Sequence, residues 1–263
     1  MPFHNQEHSK AVIDRVKQIL EAIKRAEPES VSHHDVKLGQ VIAAYHDIVQ
    51  NWEPDTKADG RIVRKRAVGN NEEDSFAELK ARMEEQNKKS GVIFSDRDFE
   101  IAKEAMIATV PGWDVSASTV VQPHLLEQPS MVALAIALAD IGSAGWDSDA
   151  YLKDGDAIFC EENLDILDDI ENQEQVSDEK KQNYVGRMLN WAKLQVAFAQ
   201  GRKSLLEKEL KSLLSDEAKE KVRALFSHFD ESIEKAQARA TDRENRVASG
   251  NLNFESLAKE MGF

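Results

Sequence analysis

Residues 38–52 read LGQVIAAYHDIVQNW. Leu38, Val41, Ile42 and Tyr45 recur at helical spacing and predict a buried helix face. His46 and Asp47 follow at or near the helix end. Adjacent side chains do not share a face within a helix. They can converge on one ion where the helix finishes and the backbone turns.

The rest of the chain is built to be helical. It has 263 residues, 41% of them hydrophobic, with only 12 Gly and 6 Pro. Long stretches rich in Ala, Leu, Glu, Lys, Gln and Arg predict an all-α protein with a sizeable core. Its formal net charge is −14. Residues 1–70 hold 11 Lys+Arg against 10 Asp+Glu, so nearly all the excess acid lies later. That field argues against coating a nucleic-acid polymer. It leaves room for a small anion, because a local basic patch or a metal can reverse the field at a site. The one cysteine, Cys160, excludes an intrachain disulfide and suits a reducing compartment. No basic segment leads into an apolar signal core. The apolar run 131–141 is interrupted by Asp140 and is too short to span a bilayer. A cytoplasmic protein with no membrane partner is expected.

The chain opens with FHNQEHSKAVIDRVKQILEAIKRA, residues 3–26. Val12, Val16, Ile19, Leu20 and Ile23 define a first helix face, and His8 continues that stripe. His4 and His8, four apart, can lie on one side of a turn. Residues 28–35 read as a loop with Ser30 or Ser32 as a cap, and His33 and His34 as surface histidines of that loop. Residues 51–75 are loop-like, marked by Pro54, Gly60 and Gly69. They carry the densest basic cluster in the chain: Arg61, Arg64, Lys65 and Arg66. Such a cluster is either a solvated loop or a phosphate-facing clamp, since guanidinium groups bind oxyanions bidentately. A third helix follows from residue 70, then a fourth over 95–109 capped by Ser95 with Asp98. Residues 110–129, with three prolines around His124, form a loop placed to border a pocket.

Residues 130–145, SMVALAIALADIGSAG, form an apolar helix broken by one acid, Asp140. A buried, unpaired carboxylate is costly. A metal, a basic partner or solvent must compensate.

Taken together these pieces resemble the HD-domain metal-dependent phosphohydrolases, a superfamily that includes the cyclic-nucleotide phosphodiesterases. FHNQEH is similar to the Y-H-N-x-x-H motif of those enzymes, with Phe3 for the tyrosine. His46-Asp47 resembles the dyad. ALADIGSAG resembles the segment that supplies the last ligand. The order H…HD…D recurs with 37 and 92 intervening residues. The resemblance covers residues 3–146. It implies His8, His46, Asp47 and Asp140 as ligands of a divalent ion (Mn, Fe, Zn, Ni or Mg), and His4 as proton donor to the leaving group. Asn71, Glu72 and Ser75 resemble an N-E-x-x-S segment of small HD hydrolases. Glu72 is then expected to hydrogen-bond a metal-bound water or a ligating histidine; alternatively it is an acid favoured by a helix N-terminus. Two imidazoles and two carboxylates suit a borderline or hard ion. The implied reaction is hydrolysis of a phosphomonoester or phosphodiester, of a nucleotide or another small phosphate-containing substrate.

The dyad departs from the phosphodiesterase pattern. Gln50 stands where H-D-x-x-H has its second histidine, which disfavours a tight second metal. Gln195 and Gln200 are weak candidates for a base-binding glutamine. Two alternatives stay open: a di-iron oxygenase, which needs further ligands, and a non-catalytic interaction protein with a structural or regulatory metal.

Residues 145–156 read as an acidic loop and 159–170 as a short helix. From Asp178, Tyr184, Met188, Trp191, Gln195 and Phe198 predict a long amphipathic helix that Gly201 could break. Residues 205–214 and 222–233 continue the apolar stripes, and 239–250 look polar and loose. The expected division is an HD-type helical domain over 1–175 and C-terminal helices over 176–263. Those helices fold back on the domain; a homodimerising coiled coil is the competing reading, against which the heptads are irregular.

Overall fold

The predicted apolar stripes become the packing faces of an all-α structure. The computed structural model describes residues 1–116, 119–171 and 176–263. Helix α1 (Gln6–Ala26) buries Val12, Val16, Ile19, Leu20 and Ile23 completely. Each such side chain contributes about 1.5–3 kcal/mol by leaving water. Helix α2 (His33–Tyr45) starts at Ser32 with a reciprocal capping box to Asp35. His33 and His34 therefore open this helix instead of lying in the preceding loop. Helices α1 and α2 pack closely at Gly39. A Cβ there would lie 2.7 Å from Leu20 Cδ1 and 3.0 Å from Val16 Cγ1.

Helix α3 (Asn70–Ser90) and helix α4 (Asp96–Ala108) follow, with Ser95 and Asp98 forming the predicted box. The central element is α5 (Met131–Asp140). Every residue from Val132 to Ala139 is buried, as expected for a helix apolar on all sides. It packs against α1, α2 and α4. Among the described residues no helix is long and apolar enough to cross a membrane.

Two small antiparallel hairpins interrupt the helices. The first pairs β1 (Trp52–Thr56) with β2 (Ile62–Arg66), Trp52 opposite Arg66. The basic cluster is thus strand and turn, not an open loop. The second pairs β3 (Gly112–Asp114) with β4 (Thr119–Val121) inside the predicted loop.

Residues 143–162 form α6 (Ser143–Trp146) and α7 (Ser148–Glu162), correcting the expected acidic loop. Asp147 caps α7 by accepting from the backbone of Asp149 and Ala150, so one of the acids that suggested a loop starts a helix. Helix α8 (Leu164–Glu171) continues after Asn163. The expected boundary after residue 175 meets residues 172–175, which lie outside the described residues.

Helix α9 (Asp178–Glu209) runs unbroken through Gly201. A 3-10 turn (Leu210–Ser212) leads to α10 (Asp216–Leu225), α11 (Phe229–Ala248) and α12 (Phe254–Met261). The main core joins both parts of the chain: Ala199, Leu206 and Val222 pack in one cluster with residues of α1 and α5. A second cluster holds the chain end through Leu252, Phe254, Leu257 and Met261. Residues 239–248 are not loose. Arg243 is 1% exposed and bonds Asp156 and Glu260, while Arg239 bonds Asp156. Polar composition misleads here because Arg239 and Arg243 turn inward onto Asp156.

Candidate metal centre

Each of the four expected ligands is delivered by the end of a helix. Asn5 caps α1, accepting from the amides of Glu7 at 2.7 Å and His8 at 3.1 Å. This places His8 in the first turn, facing inward and 7% exposed. The asparagine of FHNQEH thus acts as the cap that starts the helix. His46 is the C-cap residue of α2 and Asp47 lies in the turn beyond it. His46 Nδ1 donates to the carbonyl of Ala43 at 2.7 Å, which fixes the tautomer and turns Nε2 inward. Asp140 is the last residue of α5. Buried Arg15 donates to the carbonyl of Ala139 at 3.2 Å and ties α1 to that helix end.

The donors converge. His8 Nε2 lies 3.3 Å from Asp47 Oδ2 and 3.6 Å from Asp140 Oδ1. His46 Nε2 lies 3.0 Å and 3.5 Å from the same two oxygens. One ligand atom from each residue falls within 4.8 Å of all the others. Both Nε2 atoms are buried without a hydrogen-bond partner of good geometry. Buried orphan nitrogens beside two carboxylates are what a cation would satisfy. The residues therefore fit a metal, and the structure shows a His-His-Asp-Asp group able to hold one.

The electrostatics agree. Burial alone would lower the pKa of both histidines, but Asp47 and Asp140 outweigh it and raise them. Burial would raise Asp47 and Asp140, and the two imidazoles instead hold both well below the usual carboxylate range. The four groups are mutually compensating and costly to separate.

The next layer of contacts was only partly legible in sequence. Gln50 Nε2 donates to Asp47 Oδ1 at 2.8 Å. Arg66 Nη2 donates to the same oxygen at 3.2 Å and pairs with Glu72 Oε1 at 2.9 Å. Fully buried Glu72 also accepts from the amide of Gly69 at 2.7 Å, closing the start of α3. Its carboxylate meets Arg66 and a backbone amide, and its link to the centre runs through Arg66. Asn71 and Ser75 hold the segment after the dyad: Asn71 bonds both backbone groups of Asn51, and Ser75 accepts from the amide of Val49.

Of the four clustered cations, only Arg66 reaches the centre. Arg61 pairs with Asp59 at 2.7 Å, Arg64 borders a separate groove with Gln50 and Asn51, and Lys65 is exposed. Strand alternation, together with distance along the hairpin, separates them.

His4 lies beside the quartet, its ring 6.2 Å from that of His8 and 5.5 Å from that of Trp52. Glu161 holds it. His4 Nδ1 donates to Glu161 Oε1 at 2.8 Å, and the amides of Phe3 and His4 donate to Oε2 at 3.0 and 3.3 Å. Burial would push Glu161 up, but these bonds keep its carboxyl below the usual range. Sequence reasoning missed Glu161, since it lies 157 positions away in an acidic run without a distinguishing motif.

His4, Asp47, Arg66 and Asp140 open onto a cavity of about 390 Å³. Pro111, Trp113 and Val120 supply one side, so the segment expected to border a pocket does so. Trp191, Leu194, Gln195 and Phe198 of α9 supply another. The stripe read as a packing face is therefore also a cavity wall. Gln195 Oε1 accepts from Arg239. Gln200 is exposed, and Gln200 and His124 are not among the lining residues. The chain matches no protein-family profile, no curated protein and no solved structure.

Proposed function

We propose that this chain is an HD-type, divalent-metal-dependent phosphohydrolase acting on a phosphomonoester or phosphodiester. The observation that carries this reading is the quartet of His8, His46, Asp47 and Asp140, whose two carboxylates line a cavity that also presents His4 and Arg66. A divalent ion at the quartet supplies water activation and Lewis-acid polarisation at neutral pH.

The chain's own residues account for the rest. Glu161 accepts from His4 Nδ1 and so leaves Nε2 as the ring atom that exchanges a proton. As the oxygen of water bonds to phosphorus and sheds a proton to solvent, the ester P–O bond breaks, His4 Nε2–H protonates the departing oxygen, and Nε2 takes up a proton from solvent before the next turnover. Arg66, held by Glu72, presents Nε to the phosphoryl oxygens, and that atom has no hydrogen-bond partner among the described residues. Gln50 and Arg66 keep Asp47 turned so that Oδ2 faces the two histidines.

Metal analysis of the purified protein and of Asp140→Ala tests the centre. About one to two ions per chain, lost in the variant, are expected. Hydrolysis of p-nitrophenyl phosphate and its bis ester, with manganese, zinc, iron, nickel or magnesium, tests the chemistry. Asp47→Ala should abolish that turnover with the fold retained. No bound metal and no stabilisation by any of the five ions would overturn the reading.

A further inference from the structure

The cavity beyond the metal centre has a composition that restricts its ligand. Three of the four tryptophans in the chain line it: Trp52, Trp113 and Trp191. Phe3, Tyr151 and Phe198 add three more aromatic rings. Aromatic walls bury large flat groups at little entropic cost. The volume of about 390 Å³ lies at the small end of the usual range for organic ligands, about 300–1,000 Å³.

Charge is the second restriction. Among the described residues, Arg66 is the only Lys or Arg that lines the cavity, and it is already paired with Asp47 and Glu72. Two further acids, Asp154 and Glu162, line the cavity. Burial, then the charge of Glu161, pushes Glu162 up to about 7. One metal and one arginine can compensate a single phosphoryl group. A chain of phosphates would run along an apolar, acid-bearing wall with no cation to meet it.

The opening is marked by residues that line the cavity and are also half exposed, Val68 and Trp113 at 49% each. Both residues add apolar surface to the aromatic lining. Trp52 Nε1 is buried, unpartnered and close to His4. It offers a hydrogen bond to an acceptor at the phosphoryl end.

We infer that the substrate carries one phosphoryl group on a bulky, flat, apolar body, and that polyphosphates and small polar esters are excluded. This deepens the phosphohydrolase reading and rests on it.

The test is calorimetric titration of manganese-saturated protein with naphthylmethylphosphonate and methylphosphonate, neither of which can be hydrolysed at the P–C bond. The aromatic compound should bind about tenfold or more tightly. Leu194→Asn, on the half-buried wall, should remove about fivefold or more of that advantage and leave methylphosphonate binding unchanged. Val68→Asn at the rim gives the same readout should the first variant misfold. In parallel, naphthyl phosphate should be hydrolysed with a kcat/KM at least about tenfold above glycerol phosphate and ATP. Equal phosphonate affinities, or faster turnover of ATP or glycerol phosphate, would overturn the inference. If no ester is hydrolysed, the phosphohydrolase reading falls, while the affinity ratio still decides the ligand class.

Discussion

Gln50 Nε2 donates a 2.8 Å hydrogen bond to Asp47 Oδ1, so the residue three positions after the dyad orients a carboxylate of the His-His-Asp-Asp group that could hold a metal instead of adding a donor to it. Arg66 bonds that same oxygen, and Oδ2 is left facing His8 and His46. Residues that orient a ligating group typically contribute 10–100-fold to metal affinity. Gln50→Ala should therefore weaken metal binding by about tenfold, read by competition with a chelator. An unchanged affinity would show that the contact is dispensable.

Glu161 makes three bonds that hold His4 and the backbone before it. In Glu161→Gln the ring loses its anionic partner but keeps a neutral acceptor. Turnover should drop by about 10–100-fold with little change in KM, because the loss falls on proton transfer and not on binding. The limb of the pH–rate profile assigned to the acid should shift. A merely structural role would lower stability and leave that profile in place.

Acid and base act oppositely on the metal-free centre. His8 and His46 have raised pKa values, so their stabilising share is fully present below about 6.5 and is lost as pH rises through the folded values. Asp47 and Asp140 are held low. Their share is present above about 3.8 and fades as pH falls through the folded values. At high pH the two carboxylates face neutral imidazoles, and a metal restores the missing positive charge. The gain in Tm on adding manganese should be larger at about pH 8.5 than at about pH 6, where protons compete for the same nitrogens. A gain that is flat or reversed across that range would contradict the assignment of both histidines as ligands.

Asn71 is 1% exposed and bonds both backbone groups of Asn51. Its removal takes one partner from the amide of Asn51, while the carbonyl keeps the amide of Ala67. Asn71→Ala should cost about 1 kcal/mol in urea unfolding. Metal affinity should fall with it, since the segment joins the dyad to the strand carrying Trp52. Stability within a few tenths of a kcal/mol of the parent would show that water replaces the side chain.

Arg243 pairs with Asp156 and Glu260 at 2.9 and 3.0 Å with its side chain 2% exposed. Arg243→Ala leaves a buried acid short of one partner and opens a cavity. A loss of about 3 kcal/mol is expected, whereas an exposed polar helix would tolerate the change. Denaturant midpoints of the two proteins measure the difference.

Much of the fold could be read from the chain because helix faces are written locally. The stripes of α1 and α9 and the apolar run of α5 are periodic within a few turns. The errors have a common cause. Gly, Asp and Ser over 145–156 resemble a loop, yet Asp147 caps a helix. The polar stretch over 239–250 hides two arginines whose partners lie on α7 and α12. Composition reports charge but not where its counter-charge will come from.

The sequence by itself determined the helical class through its periodic apolar faces, while the four donors are expected only from the resemblance of FHNQEH, HD and ALADIGSAG to the HD-domain motifs. Tertiary structure alone decided which of four cations faces the centre, that Glu161 holds His4, and that α9 completes the cavity. These depend on strand alternation and on contacts across as many as 158 positions. No local pattern encodes such partners, since side chains far apart in sequence meet only after the helices have packed.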